Sequence, residues 1–385
     1  MPGFELIGSE EQEEVNDLFN RSRILFRHSF DQLRNGVYKV RDFETAFAKY
    51  MGCEDALAVT SGSAALRVAL AALGIGQGDE VITQSFTFVA TVEAIIESGA
   101  QPVITEVNET LNMDYRDLQK KITPKTKAII VVHMLGIPAD MGKIVPVARM
   151  HNLPIIEDSA WGCGAKLNGQ YLGTIGDAGT YSFDFAKTMT TGEGGMVVCR
   201  NKEALMKAKA YHDHGHENNP ALPRWEDSRS GSGFNYRMTE LQGAVGLAQL
   251  KKLGTVIEMQ RKNKGRLLEE LRDFKSIQFR KRPNATEETA DALVFFVDSN
   301  ATARACREAL LKQRAGTKIL PEAITWHYAG TWNHMPALVS RYPNLAEAFP
   351  ESKRILDKAV ALPIFAKMDD DFPLRVHRAL KEVLG

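Results

Sequence analysis

Three short segments of the 385-residue chain carry residue types that could do chemistry together. The run Tyr181-Ser182-Phe183-Asp184-Phe185-Ala186-Lys187, followed by Thr190-Thr191-Gly192-Glu193-Gly194-Gly195, sets a lysine just past an apolar stretch, among phenylalanine and alanine. An amine desolvated in this way holds its proton less tightly and becomes a nucleophile towards carbonyl carbon. Most lysines beside a loop are simply solvated, so this segment alone leaves both readings open. The run Pro154-Ile155-Ile156-Glu157-Asp158-Ser159-Ala160 delivers Asp158 to the carboxyl end of an apolar stretch. A carboxylate there could keep a pyridine nitrogen protonated and make its ring an electron sink, or it could cap the next helix. In Thr60-Ser61-Gly62-Ser63-Ala64-Ala65-Leu66 small residues open a helical stretch. Free N–H groups at such a start cradle phosphate, although an ordinary capped loop has the same composition.

The elements that must position these segments are legible from apolar periodicity. Ala56–Val59, Glu80–Thr83, Pro102–Ile104, Ala128–Val132, Pro154–Glu157, Thr180–Phe183 and Met196–Cys199 read as buried strands. Helical stretches such as Ala64–Leu73 and Val89–Ser98 alternate with them, which predicts an α/β domain of three layers around a mainly parallel seven-stranded sheet. In sheets of this kind ligands bind beyond the carboxyl ends of the strands, where Asp158 and Lys187 fall. Ser9 and Gln12 have the spacing of a capping box at a first helix. A long helical pattern runs from Met238 to about Leu271, and a smaller mixed unit follows. The expected division is a large domain over residues 1–250, including the N-terminal helical segment, and a small C-terminal α/β domain over 251–385.

Composition narrows the classes of partner. Lys plus Arg (48) balances Asp plus Glu (48), so no net field favours nucleic acid or an anionic membrane. Cys53, Cys163, Cys199 and Cys306 form no C-x-x-C pair, so no zinc site or disulfide framework is indicated and they read as reduced core thiols. Apolar runs such as Ala128–Val132 are too short to span a bilayer, and the acidic stretch from Ser9 to Glu14 does not read as a signal peptide. The expectation is a cytoplasmic protein with neither membrane nor nucleic acid as partner.

Taken together, the three segments resemble the sugar aminotransferases of the DegT/DnrJ/EryC1/StrS family, a branch of the fold-type I pyridoxal 5′-phosphate enzymes, over nearly the whole chain. The resemblance implies an aspartate aminotransferase-like fold with Lys187 as the Schiff-base lysine and Asp158 as the partner of the cofactor's ring nitrogen. Phe88, in Ser85-Phe86-Thr87-Phe88-Val89-Ala90-Thr91, falls on the ring-stacking position. Gly62, Ser63, Ala64 and Ser182 fall on phosphate contacts. Asn235, in Gly233-Phe234-Asn235-Tyr236-Arg237-Met238-Thr239-Glu240, implies a further phosphate contact made in the neighbouring subunit, hence a homodimer with shared active sites. L-glutamate would be the amino donor and pyridoxamine 5′-phosphate the intermediate form of the cofactor. Two positions depart from the family pattern. Trp161 stands where His or Gln is usual near the ring hydroxyl, and Asp184 replaces the commoner His or Tyr. Dehydratases of the family carry His in place of the lysine, so Lys187 favours amino transfer.

The stretch His212-Asp213-His214-Gly215-His216-Glu217-Asn218-Asn219-Pro220, continuing to Arg224, Trp225 and Arg229, bears on the substrate. Alternate histidines in an extended segment would share one face and could bind metal, but no carboxylate or cysteine constellation joins them, so no metal is expected. An ordinary surface loop is one reading. The sharper one is a cationic lid over an acidic sugar, formed by His212, His214, His216, Arg224 and Arg229 with His327 and Tyr328 from the small domain. This loop resembles the branch of the family that aminates the C8 aldehyde of 3,8-dideoxy-8-oxo-D-manno-octulosonate for lipopolysaccharide. The alternative acceptor is a nucleotide-linked 4-keto or 3-keto hexose. A catalytically silent cofactor-binding regulator would belong to a different class, and retention of Lys187, Asp158, Ser182 and Asn235 together argues against it. A histidine-metal protein is the other distinct class.

Overall fold

The structure is a computed structural model and describes residues 2–219 and 221–385; Pro220, at the end of the histidine-rich stretch, lies outside them. All seven expected strands enter one sheet, in the order 57–59, 195–199, 178–182, 155–158, 126–132, 80–84 and 101–105. Neighbours pair in parallel except around Gly195–Cys199, which runs antiparallel to both of its partners.

Burial on both faces explains why a strand such as the one through Ala128–Val132 reads as a continuous apolar run. In Thr126–Val132, Ala128 and Ile130 face a cluster with Leu66, Val68 and Leu205, whereas Ile129 and Val131 face Leu118, Ile144 and Val147. Helices Gly62–Ala72 and Lys202–Tyr211 therefore cover one side, and Tyr115–Lys121 and Met141–Met150 the other. A third cluster packs helix Lys39–Met51, through Phe43 and Phe47, against Tyr181 on strand Ala178–Ser182 and Phe183 just past it, on the way to Lys187.

The long helix spans Glu240–Glu270, opened by a capping box in which Thr239 accepts from Gln242 N. It is continuous through residue 250, where the domain division is expected. Leu250 and Leu253 join the core of the large unit, and Leu267 joins that of the small one. The C-terminal part holds an antiparallel sheet of 278–279, 292–296 and 359–363, covered by helices Asn300–Lys312 and Phe372–Leu384. Among the described residues no helix is long and apolar enough to cross a membrane.

The first long helix, Ser9–Arg21, starts one residue earlier than its expected capping box. Gly8 is the N-cap, and Glu11 rather than Gln12 reaches back, its Oε2 accepting from Gly8 N at 2.7 Å. The four cysteines are free; Cys163 and Cys306 are buried, and burial pushes the Cys163 thiol up to about 12.

Candidate active site

Parallel strands carry their carboxyl ends to the same edge, and there Val132, Asp158 and Thr180 lie side by side in register. A cavity of about 340 Å³ opens above them. Its lining includes Gly62, Ser63, Phe88, Asp158, Ser182, Lys187 and His327, six of them from the three segments and the Phe88 run that the sequence singles out.

Asp158 is buried, and its carboxylate is held by two donors: Thr91 Oγ1 at 2.9 Å from Oδ2, and Ala160 N at 3.2 Å from Oδ1. Burial raises its pKa, opposed by the Thr91 hydroxyl. Thr91 is itself tied to Thr87 Oγ1 at 2.7 Å. The sequence reading missed this support; its only signal was that Thr91 sits in the same run as Phe88, in the first turn of helix Val89–Glu97.

Lys187 follows strand Ala178–Ser182 in the turn to Gly195–Cys199. Its Nζ stands 3.8 Å from the centroid of the Trp161 ring. Burial lowers the amine to about 8, and the nearby Asp158 carboxylate limits the drop. An amine poised there exists in both protonation states near neutral pH. Trp161 also lies 4.8 Å from Lys318 Nζ, which is bonded to Asp291 Oδ2 at 2.7 Å.

Helix Gly62–Ala72 begins against Ser182. A Cβ on Gly62 would stand 2.7 Å from Ser182 Cβ and 3.1 Å from its Oγ, so only glycine lets the helix start this close. Ser61 Oγ caps the helix by accepting from Ala64 N at 3.1 Å. The N–H groups of Gly62 and Ser63 carry no hydrogen bond among the described residues and present an anion site beside the Ser182 hydroxyl. Ala64 is buried below this turn and does not line the cavity; its N–H already has Ser61.

A family model, the DegT/DnrJ/EryC1/StrS aminotransferase family, matches residues 17–381. The chain belongs to that family. It is 32% identical to a protein of Methanocaldococcus jannaschii over 98% of this chain and 96% of that one. It is 40% identical over 255 residues to a GDP-perosamine synthase of Escherichia coli O157:H7, an alignment covering 66% of each. Among solved structures, an aminotransferase from Psychrobacter cryohalolentis superposes with a TM-score of 0.85 at 27% identity, covering 98% of this chain and 97% of that one. As a member of this aminotransferase family the chain is a pyridoxal 5′-phosphate-dependent transaminase of the sugar aminotransferase type.

The residues present fit that cofactor. The Gly62–Ser63–Ser182 gap suits a phosphate, the buried and doubly held Asp158 suits a ring nitrogen, and the desolvated Lys187 suits the aldehyde. Phe88 is 40% exposed, with its ring 5.5 Å from that of His327, and forms a wall against which a flat ring can stack. His327 Nδ1 lies 3.2 Å from the Ala323 carbonyl and donates to it. Burial lowers this histidine to about 4, so it is neutral and its Nε2 accepts. Asn235 is exposed and lies outside this cavity, its Oδ1 accepting from Arg237 N at 3.3 Å.

The expected lid divides once its atoms are located. Tyr328 faces away from the cavity into the core, its hydroxyl donating to the Phe349 carbonyl at 3.0 Å. His212 is the buried C-cap of helix Lys202–Tyr211, bonded through Nδ1 to the Lys209 carbonyl, and burial lowers it to about 3. His216 is buried with Nδ1 2.9 Å from Asp227 Oδ2. Arg224 grips Asp213 with both terminal nitrogens, Arg237 joins it, and His28 Nε2 lies 3.2 Å away. Burial would raise the Asp213 carboxyl, but these partners, Arg224 foremost, hold it far below the usual range. These residues hold the loop together. His214 and Arg229 are exposed, and neither side chain makes an ion pair among the described residues.

Proposed function

We propose that this chain transfers an amino group from L-glutamate to the C8 aldehyde of 3,8-dideoxy-8-oxo-D-manno-octulosonate, as a homodimer in the cytoplasm, supplying an amino sugar for lipopolysaccharide. The observation that carries the amino transfer is the convergence of Lys187, Asp158, Ser182 and the Gly62 turn on one cavity. When bound, pyridoxal 5′-phosphate supplies an electron sink for the carbanion formed at the donor's α-carbon. Lys187, lowered by burial to about 8, would hold the cofactor's aldehyde through its neutral amine. Its amine would also hold a proton beside the donor's α-carbon, as base and then as acid. Asp158, kept in place by Thr91 and Ala160, would hold the ring nitrogen protonated. Phe88 would stack on the ring, and Ser182 with the N–H groups of Gly62 and Ser63 would hold the phosphate.

The acidic acceptor is supported by the loop that follows helix Lys202–Tyr211. Asp213 pairs along the backbone with Asn235, so an Asn235 that reaches the neighbouring subunit's phosphate carries the loop to the same cavity. His212, His216 and Arg224 brace the loop, which leaves His214 and Arg229 to meet a sugar carboxylate. A second reading, a nucleotide-linked keto-hexose as acceptor, is favoured by the 40% identity to a GDP-perosamine synthase.

Single-turnover assays separate the two. The enzyme is charged with pyridoxamine 5′-phosphate and offered either the octulosonate aldehyde or a nucleotide-linked 4-keto-hexose, and the visible absorbance of the lysine-bound cofactor is followed. Fast return with the octulosonate alone is the expected result. Fast return with the nucleotide sugar alone overturns the acceptor and leaves the amino transfer standing.

A further inference from the structure

The turn that carries Lys187 is held from outside by the N-terminal segment. Inside the turn, short bonds shape the backbone: Ala186 N donates to Asp184 Oδ1 at 2.9 Å, and Gly192 N to Thr190 Oγ1 at 2.9 Å. None of these grips the carbonyl of Lys187. That carbonyl accepts from Gly3 N at 3.0 Å. A Cβ on Gly3 would stand 2.7 Å from the same oxygen and 3.0 Å from Met189 Cα, so the approach requires glycine. Beside it the Phe4 ring packs on the Phe185 ring, centroids 5.2 Å apart at 30°.

A second route reaches the far side of the turn. Thr190 N donates to Gln249 Oε1 at 3.1 Å, and Gln249 Nε2 donates to Glu11 Oε1 at 2.8 Å. Glu11 and Gln249 are both buried. A carboxylate only accepts, so Glu11 can face only the nitrogen end of the Gln249 amide, which turns the oxygen end to Thr190. Glu11 is fixed in turn by Gly8 N at 2.7 Å and Lys252 Nζ at 2.8 Å.

We propose that Gly3, Phe4 and Glu11 are positioning residues for Lys187, helix Pro2–Glu5 strapping the turn at the Lys187 carbonyl and helix Ser9–Arg21 at Thr190 so that the amine is fixed relative to Asp158. The inference rests on the reading of Lys187 as the cofactor-binding nucleophile. A lysine side chain is long and flexible, so where its amine stands depends on a fixed backbone origin. Displacement of a reacting group by about 1 Å can cost on the order of a hundredfold in rate.

The test uses the full chain with Gly3→Val, Phe4→Ser and Phe4→Tyr, and Lys187→Ala as control. Gly3→Val and Phe4→Ser should lower kcat by about tenfold to a hundredfold with the sugar KM unchanged. In the cofactor-free protein they should also slow pyridoxal 5′-phosphate capture and speed amide hydrogen exchange at residues 184–192, with the melting temperature near that of the wild type. Phe4→Tyr retains the ring pair and should restore all three. Wild-type capture and exchange in Gly3→Val and Phe4→Ser would overturn the strap. Turnover retained by Lys187→Ala would instead overturn the reading of Lys187 itself, so the two failures are distinct.

Discussion

Replacing Lys187 by methionine should make the cofactor-free protein more stable at neutral pH, and the size of the gain follows from the amine's surroundings. In the unfolded chain the amine titrates at 10.5, and in the folded one at about 8. Its folded value is depressed, so the unfolded state binds more protons between the two. The penalty is therefore fully present below pH 8 and disappears as pH rises to 10.5. A gap of this size corresponds to about 3 kcal/mol at pH 7. Contact of the ammonium with the Trp161 face returns about 0.5–2 kcal/mol, which methionine forgoes, so the net gain expected at pH 7 is about 1–3 kcal/mol. The assay is urea unfolding of both cofactor-free proteins at several pH values from 7 to 10.5. The wild type should gain on the variant as pH rises. A difference that does not change with pH, or a variant less stable at pH 7, would refute the desolvated amine.

Asp158→Asn removes the carboxylate that supports the Lys187 proton. The pH midpoint for cofactor capture by the apoenzyme should therefore fall below about 8, while turnover drops by on the order of a hundredfold to a thousandfold. Stopped-flow absorbance and a steady-state assay check the two, and a midpoint that rises would refute the coupling. If sites are shared between subunits, Lys187→Ala and Asn235→Ala proteins, each impaired, should recover activity on mixing after mild dissociation. A hybrid dimer then holds one site with both residues intact, and titrating one protein into the other should trace a maximum near equal amounts. Mixtures no more active than the separate proteins would place Asn235 outside the partner's site.

Features that depend on one stretch of chain were readable from sequence. The seven strands are buried on both faces, so apolar runs such as Ala128–Val132 mark them, and Asp158, Ser182 and Lys187 stand at or just past strand ends where a parallel sheet gathers its ligands. The features that stayed hidden join distant segments. Thr91 supports Asp158 across a strand boundary, Trp161 faces Lys187, and Gly3 holds the Lys187 carbonyl. None of these pairs leaves a periodic trace.

The histidine-rich stretch shows how a sound local rule fails when its backbone assumption does. Alternate residues share a face only in an extended chain. Here His212 closes a helix at φ −69° and ψ −9°, and His214 adopts a left-handed φ of 54°. The chain therefore coils, burying His212 and His216 and leaving His214 outside. The same coiling draws Arg224 onto Asp213, which is buried and would be destabilising without a cation. Positive charge counted along the sequence thus overstated what is free to meet a substrate. Of the five loop residues, the two whose side chains make no ion pair among the described residues, His214 and Arg229, are the ones whose replacement should change the sugar KM without loosening the loop.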